Sequence, residues 1–87
     1  MIEIVYSNLF LKQAKHLPLK VRVKLARNLT LIQENPFHPL LHAKPLSGEL
    51  AGLYSFRITR DWRVIFQFLA ADRIKLVLVG NRKDIYH

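Results

Sequence analysis

The sequence predicts an α+β domain of order β-α-α-β-β-β, with two N-terminal helices packed on one face of a mainly antiparallel sheet. Three observations lead there. A four-turn amphipathic pattern runs from Leu19 to about Glu34, apolar and polar residues alternate through most of the chain after Tyr54, and short polar turns separate the alternating runs. With 87 residues the chain has room for one such domain, spanning 1–87, and not for two.

The elements follow in order. Ile2, Ile4 and Tyr6 alternate with Glu3 and Val5, which predicts a short first strand. Ser7 or Asn8 then supplies a side-chain oxygen for the unpaired amides of a helix N-terminus. Phe10, Ala14 and Leu17 recur at helical spacing until Pro18 ends or restarts the helix. In the second helix Val21, Leu25, Leu29 and Ile32 form the apolar stripe, and Lys20, Lys24 and Arg27 fall elsewhere on the circle. Asn35-Pro36 stops it. Residues 36–52 hold three of the four prolines and two of the three glycines, so an ordered connecting loop is expected, and its length suggests that it has a task.

The rest reads as strand. Tyr54, Phe56 and Ile58 alternate with Ser55, Arg57 and Thr59; the turn Arg60-Asp61 leads into Trp62, Val64, Phe66 and Phe68, and the two runs form a hairpin. After the turn at Ala71-Asp72-Arg73, Ile74, Leu76 and Leu78 alternate with Lys75, Val77 and Val79 up to Gly80. The aromatic face of this meander is expected to cover the helices, which leaves Ser55, Arg57, Arg63 and Gln67 on the opposite face. Residues 81–87 are read as a tail.

Composition narrows the function. Fourteen Lys and Arg against six Asp and Glu give a net charge of +8, and each half of the chain contributes +4, so the excess belongs to folded segments rather than to a basic tail. Such a surface field attracts nucleic acid or an acidic protein. There is no Cys, which excludes disulfides, thiolate metal sites and thiol nucleophiles, and fits a reducing cytoplasm. Charge-free runs such as Val64 to Ala71 are far short of the roughly 20 residues of a membrane span. No signal peptide and no membrane partner are expected.

Arg57 and Arg63 fall on adjacent strands of the hairpin and are expected to be neighbours. Like charges side by side are unfavourable unless acids separate them or an anion holds them. With Arg82 they would make a phosphate clamp of permanently charged planar donors; the competing reading is that Asp61 and Asp84 simply pair with them. Tyr86 and His87 can both move protons. His38 and His42 lie in the loop without metal-site spacing, no cofactor motif appears, and no metal is expected. These residue types suit RNA cleavage by attack of the 2′-hydroxyl on the adjacent phosphate, which needs proton transfer and positive charge but no metal.

The run from Lys44 to Phe66, containing "PLSGELAGLYSFRITRDWRVIF", and the ending "VGNRKDIY" at 79–86 resemble the RelE/ParE superfamily of toxins from bacterial type II toxin-antitoxin systems. The likeness extends over nearly the whole chain. It implies a twisted sheet with the two helices on one face and a basic active surface on the other. In the RelE-like branch that surface enters the ribosome and cuts mRNA. By position, Arg63, Arg82 and Tyr86 correspond to residues of the family's active surface; Arg57 falls on the same surface, and with Arg60, Lys75 and Lys83 it is a candidate RNA contact. RelE has a further Lys where this chain has Ser55, and YoeB-type relatives have Glu where it has Lys44, so Lys44, Tyr86 and His87 remain candidates for the general base.

The resemblance also implies an acidic antitoxin as partner, a toxin-antitoxin hetero-oligomer on operator DNA, and the ribosome with its mRNA as target. The superfamily divides by function: ParE-type members block DNA gyrase without nuclease activity, and the Arg pair occurs in both branches.

Overall fold

A computed structural model gives the fold, and residues 1–85 are described. Strand β1 (Glu3–Tyr6) leads into helix α1 (Asn8–Ala14) through Ser7, whose Oγ accepts the Phe10 N–H at 2.9 Å and donates to the Val77 carbonyl at 2.6 Å. One hydroxyl thus caps the helix and ties it to the sheet. Helix α2 (Leu19–Glu34) starts directly after Pro18, whose carbonyl accepts from Val21 and Arg22. A proline suits that place, since an N–H there would have no helical partner.

The predicted loop is ordered. It contains two single-turn 3-10 segments, Pro39–Leu41 and Gly48–Leu50, and between them a two-residue strand β2 (Lys44–Pro45) that the alternation pattern is too short to reveal. Gly52 sits at φ +92°, a conformation that strains any residue with a side chain, and it turns the chain into β3 (Tyr54–Arg57). Strands β4 (Trp62–Ala70) and β5 (Arg73–Asn81) complete the sheet. Its order is β1-β5-β4-β3-β2, antiparallel except for the parallel pair β1-β5 that the helical crossover creates. The expected tail contains a further helical turn, α3 (Arg82–Ile85).

Both long helices cover one face. Phe10, Leu17, Val21, Leu25 and Ile32 meet Phe56, Ile58, Val64, Phe66, Ile74 and Leu76, with Leu41 plugging the gap beneath the loop. Each large apolar side chain buried there contributes about 1.5–3 kcal/mol. The buried positions of α2 are Val21, Leu25, Asn28 and Ile32, and Leu29 packs against the same core partly buried, so Asn28 adds a polar position to the expected stripe. Its Nδ2 donates to the Arg57 carbonyl at 3.2 Å, which fastens α2 to the end of β3 and satisfies a polar group that is only 4% exposed.

Candidate functional site

The turn between β3 and β4 organises the basic residues. The Ile58 N–H donates to the Trp62 carbonyl at 2.9 Å, and Thr59 and Trp62 face each other across Arg60-Asp61, as the sequence predicts. Arg57 and Arg63 are direct cross-strand partners, so both side chains leave the sheet on the face opposite Phe56 and Val64. Their surroundings differ. Arg57 is exposed, whereas Arg63 is 8% exposed and its Nη1 donates to the carbonyls of Thr59 at 2.6 Å and Trp62 at 3.3 Å. The guanidinium folds back over the turn because the turn leaves carbonyl acceptors within its reach.

On its other side Arg63 pairs with Gly80 of β5, and α3 begins two residues later. A Cβ on Gly80 would stand 3.5 Å from Ile85 Cγ1, so α3 folds onto this same face and Ile85 lies over the glycine. The Arg82 N–H donates to the Asp61 carbonyl at 2.8 Å, and Arg82 Nε lies 4.0 Å from Asp61 Oδ1. The second face therefore corrects the expectation of an open basic surface. Ser55 and Ile65 are each 1% exposed on it, Arg63 is buried, and Arg57 and Gln67 alone of the four expected residues are exposed. Over Gly80 the cover is Ile85 of α3, which lies in the segment read as a tail and so could not be seen by inspecting the β-run.

The fold brings Arg57, Arg60, Arg63, Arg82 and Lys83 to one end of the sheet, around the β3–β4 turn and α3, with Asp61 among them. Arg60 and Lys83 are exposed. Lys44 is on β2, paired with Ser55, one side-chain row from Arg57 at about 7 Å along the strand. It lines a shallow cleft of about 290 Å³ with Leu46 and Ser47. Lys75 does not join the group: it pairs with Gln67, four residues along β4 from Arg63 and about 13 Å away. Tyr86 and His87 lie outside the described residues. The Ser55 hydroxyl is buried with no hydrogen-bond partner among the described residues, an unusual state for a polar atom in a sheet.

Sequence reasoning missed a second basic feature. A groove of about 410 Å³ runs between α2 and the β3–β4 turn, with Lys24, Arg27, Arg57 and Arg60 on its walls and Asn28 at its base. The polar Asn28 on an apolar stripe was the readable signal. Among the described residues no group of three or more His, Asp or Glu could hold a metal, and no helix is long and apolar enough to cross a membrane.

No family model and no curated protein sequence matches the chain. Solved structures do. YafQ from E. coli strain BL21(DE3) superposes with a TM-score of 0.78 at 22% identity, covering 100% of both chains. The YoeB/ParE toxin from Agrobacterium tumefaciens gives 0.78 at 19% identity over 93% of this chain and 99% of that one. The RelB-RelE antitoxin-toxin complex from Methanococcus jannaschii gives 0.77 at 23%, covering 94% of each chain. At these identities the likeness is one of fold: over at least 93% of its length, the chain has the RelE-like fold of these solved structures.

Proposed function

We propose that this protein is the toxin of a type II toxin-antitoxin system and that it cleaves mRNA on the ribosome as an endoribonuclease in the cytoplasm. The observation that carries the reading is the gathering of Arg57, Arg63 and Arg82 around one end of the sheet, with Arg57 and Arg63 in direct register. Three permanent positive charges at one place suit a phosphate that gains negative charge as it reacts. In the reaction the 2′-oxygen forms a bond to phosphorus, the bond to the 5′-oxygen breaks, and a 2′,3′-cyclic phosphate and a 5′-hydroxyl result. One group takes the proton of the 2′-hydroxyl and another returns a proton to the leaving oxygen; Lys44, Tyr86 and His87 are the candidates for these roles. Arg60, Lys75 and Lys83 are proposed to contact RNA beyond the cleaved bond. The partner is an acidic antitoxin, a class of assembly that the RelB-RelE relative exemplifies, and the complex binds operator DNA.

A second reading has one observation in its favour. Arg63 bonded to turn carbonyls and Arg82 paired with Asp61 are also what purely structural arginines would do, as expected in a gyrase inhibitor without nuclease activity. Brief expression followed by mapping of mRNA 5′ ends, with a gyrase supercoiling assay in parallel, separates the two. New mRNA ends with normal supercoiling are expected. Intact mRNA with blocked supercoiling would overturn the nuclease reading.

A further inference from the structure

The groove between α2 and the β3–β4 turn holds about 410 Å³, within the roughly 300–1,000 Å³ typical of small-ligand pockets. Lys24 and Arg27 of α2 and Arg60 of the turn line it, all exposed, and none has a carboxylate partner among the described residues, where the ion pairs are Arg73 with Glu3 and Arg82 with Asp61. The Arg57 side chain is not counted with them, because it leaves the sheet on the other face. Beside the charges Leu31, Leu40 and Ile58 supply an aliphatic surface. At the base lies Asn28, only 4% exposed: one Nδ2 hydrogen goes to the Arg57 carbonyl, and the second hydrogen and Oδ1 have no partner among the described residues. A buried carboxamide with a donor and an acceptor to spare is uncommon unless something outside the chain uses them. His42 is an independent sign. It lines the same groove at φ 49° and ψ 42°, and among the described residues it is the one non-glycine with positive φ. Such a conformation costs stability in a residue with a side chain, and it is kept at ligand clamps and functional sites.

We infer that this groove binds a small molecule, an adenine nucleotide with two or more phosphates. Lys24, Arg27 and Arg60 hold the phosphates through charge-assisted hydrogen bonds, with the exposed His42 imidazole beside them, and the aliphatic surface covers the base and ribose. The spare N–H and Oδ1 of Asn28 match the N7 acceptor and N6 donor of adenine, whereas guanine offers two acceptors on the same edge. An RNA strand fits less well, because sequence-tolerant binding of a strand draws on stacking against aromatic rings, and no Phe, Tyr or Trp lines the groove. One wall is the turn whose Thr59 carbonyl holds Arg63, so a bound nucleotide would steady the element that carries that arginine. The binding claim stands apart from the nuclease reading.

The test is isothermal titration calorimetry on the full chain with ADP, GDP, adenosine and inorganic pyrophosphate, in buffer without magnesium. ADP should bind at least about tenfold tighter than GDP, the margin of one bidentate base contact. It should also bind at least about tenfold tighter than adenosine or pyrophosphate, since each of these lacks one half of the proposed contacts. Lys24→Gln with Arg27→Gln should weaken ADP by about tenfold or more and leave the preference for ADP over GDP intact. Both side chains are exposed, and thermal unfolding checks that the variant folds. His42→Gly relieves the left-handed backbone, so its Tm should be unchanged or higher while ADP binds about threefold more weakly, a pairing that a merely structural role would not give. Absence of binding at millimolar ADP, equal affinity for ADP and GDP, pyrophosphate as tight as ADP, or ADP affinity untouched by the double variant would each overturn the assignment. The mapping of mRNA ends tests the nuclease reading independently.

Discussion

Arg63 donates from Nη1 to the Thr59 carbonyl at 2.6 Å, so the residue proposed to meet a phosphate also braces the hairpin that carries it. Hydrogen bonds from a charged donor contribute about 1.5–3 kcal/mol. Arg63→Ala should therefore lower the Tm by about 6–20 °C in a domain of this size, and its loss of toxicity alone would not separate chemistry from folding. Arg63→Lys keeps the charge and gives up the planar fork. It is expected to fold, by circular dichroism, and to lose toxicity by about 10²-fold or more, the scale of one lost oxyanion donor. A folded Arg63→Lys protein as toxic as the parent would make this residue a turn brace and nothing more.

Arg82 invites the opposite experiment. Its ion pair with Asp61 is 4.0 Å long and about half exposed on both sides, a geometry that contributes at most a fraction of a kcal/mol. Arg82→Gln should leave the unfolding midpoint within about 3 °C of the parent and still reduce toxicity by about 10²-fold. Asp61→Asn removes the acid paired with Arg82 and should tighten RNA binding at low salt. An Arg82→Gln protein that retains full toxicity, measured as growth arrest at equal expression, would remove Arg82 from the clamp.

What the sequence shows and what it hides divide along physical lines. The stripe from Val21 to Ile32 and the alternation from Tyr54 to Val79 are repeated signals, so the helix bounded by Pro18 and Asn35 and the three-stranded meander are legible. The shared face of Arg57 and Arg63 is legible from the alternation, but their register is not: a bare two-residue turn at Arg60-Asp61 would set Arg57 opposite Val64, and the extra residue at Thr59, with the Trp62 carbonyl accepting from both Ile58 and Thr59, brings it opposite Arg63. Burial of Arg63 is not legible either, because its guanidinium folds onto the Thr59 and Trp62 carbonyls, and α3 is hidden as well, a single turn held by the Arg82 N–H to the Asp61 carbonyl rather than by any periodicity. The basic groove escapes for a related reason. Lys24 and Arg27 lie 30 or more positions from Arg57, and only the three-dimensional path of α2 brings them to one wall.

Ser55 offers a test of the buried face. The residue is 1% exposed, with Lys44 and Ile65 as its cross-strand neighbours, and its hydroxyl has no hydrogen-bond partner among the described residues. Leaving such a group unsatisfied costs about 1–3 kcal/mol, so Ser55→Ala, which deletes it without adding volume, should raise stability by up to that amount. Urea unfolding measures it. A loss of more than about 1 kcal/mol in that variant would mean that the hydroxyl has a partner in solution.

Proton transfer remains the step that distinguishes an enzyme from a binding protein, and Tyr86 is where the resemblance puts it. Tyr86→Phe keeps the ring and removes the transferable proton, so folding should be preserved while cleavage falls by about 10²–10⁴-fold, the usual range for a lost acid or base. Deleting Tyr86 and His87 together should do at least as much. The substrate supplies an independent control: if the 2′-oxygen is the nucleophile, RNA with a 2′-deoxy residue at the cut position must bind and resist cleavage, whatever the protein variant. Single-turnover assays on ribosome-bound mRNA measure both effects. Cleavage of the 2′-deoxy substrate at the parent rate would exclude attack by the neighbouring hydroxyl, and undiminished cleavage by Tyr86→Phe would move the proton-transfer role to Lys44 or His87.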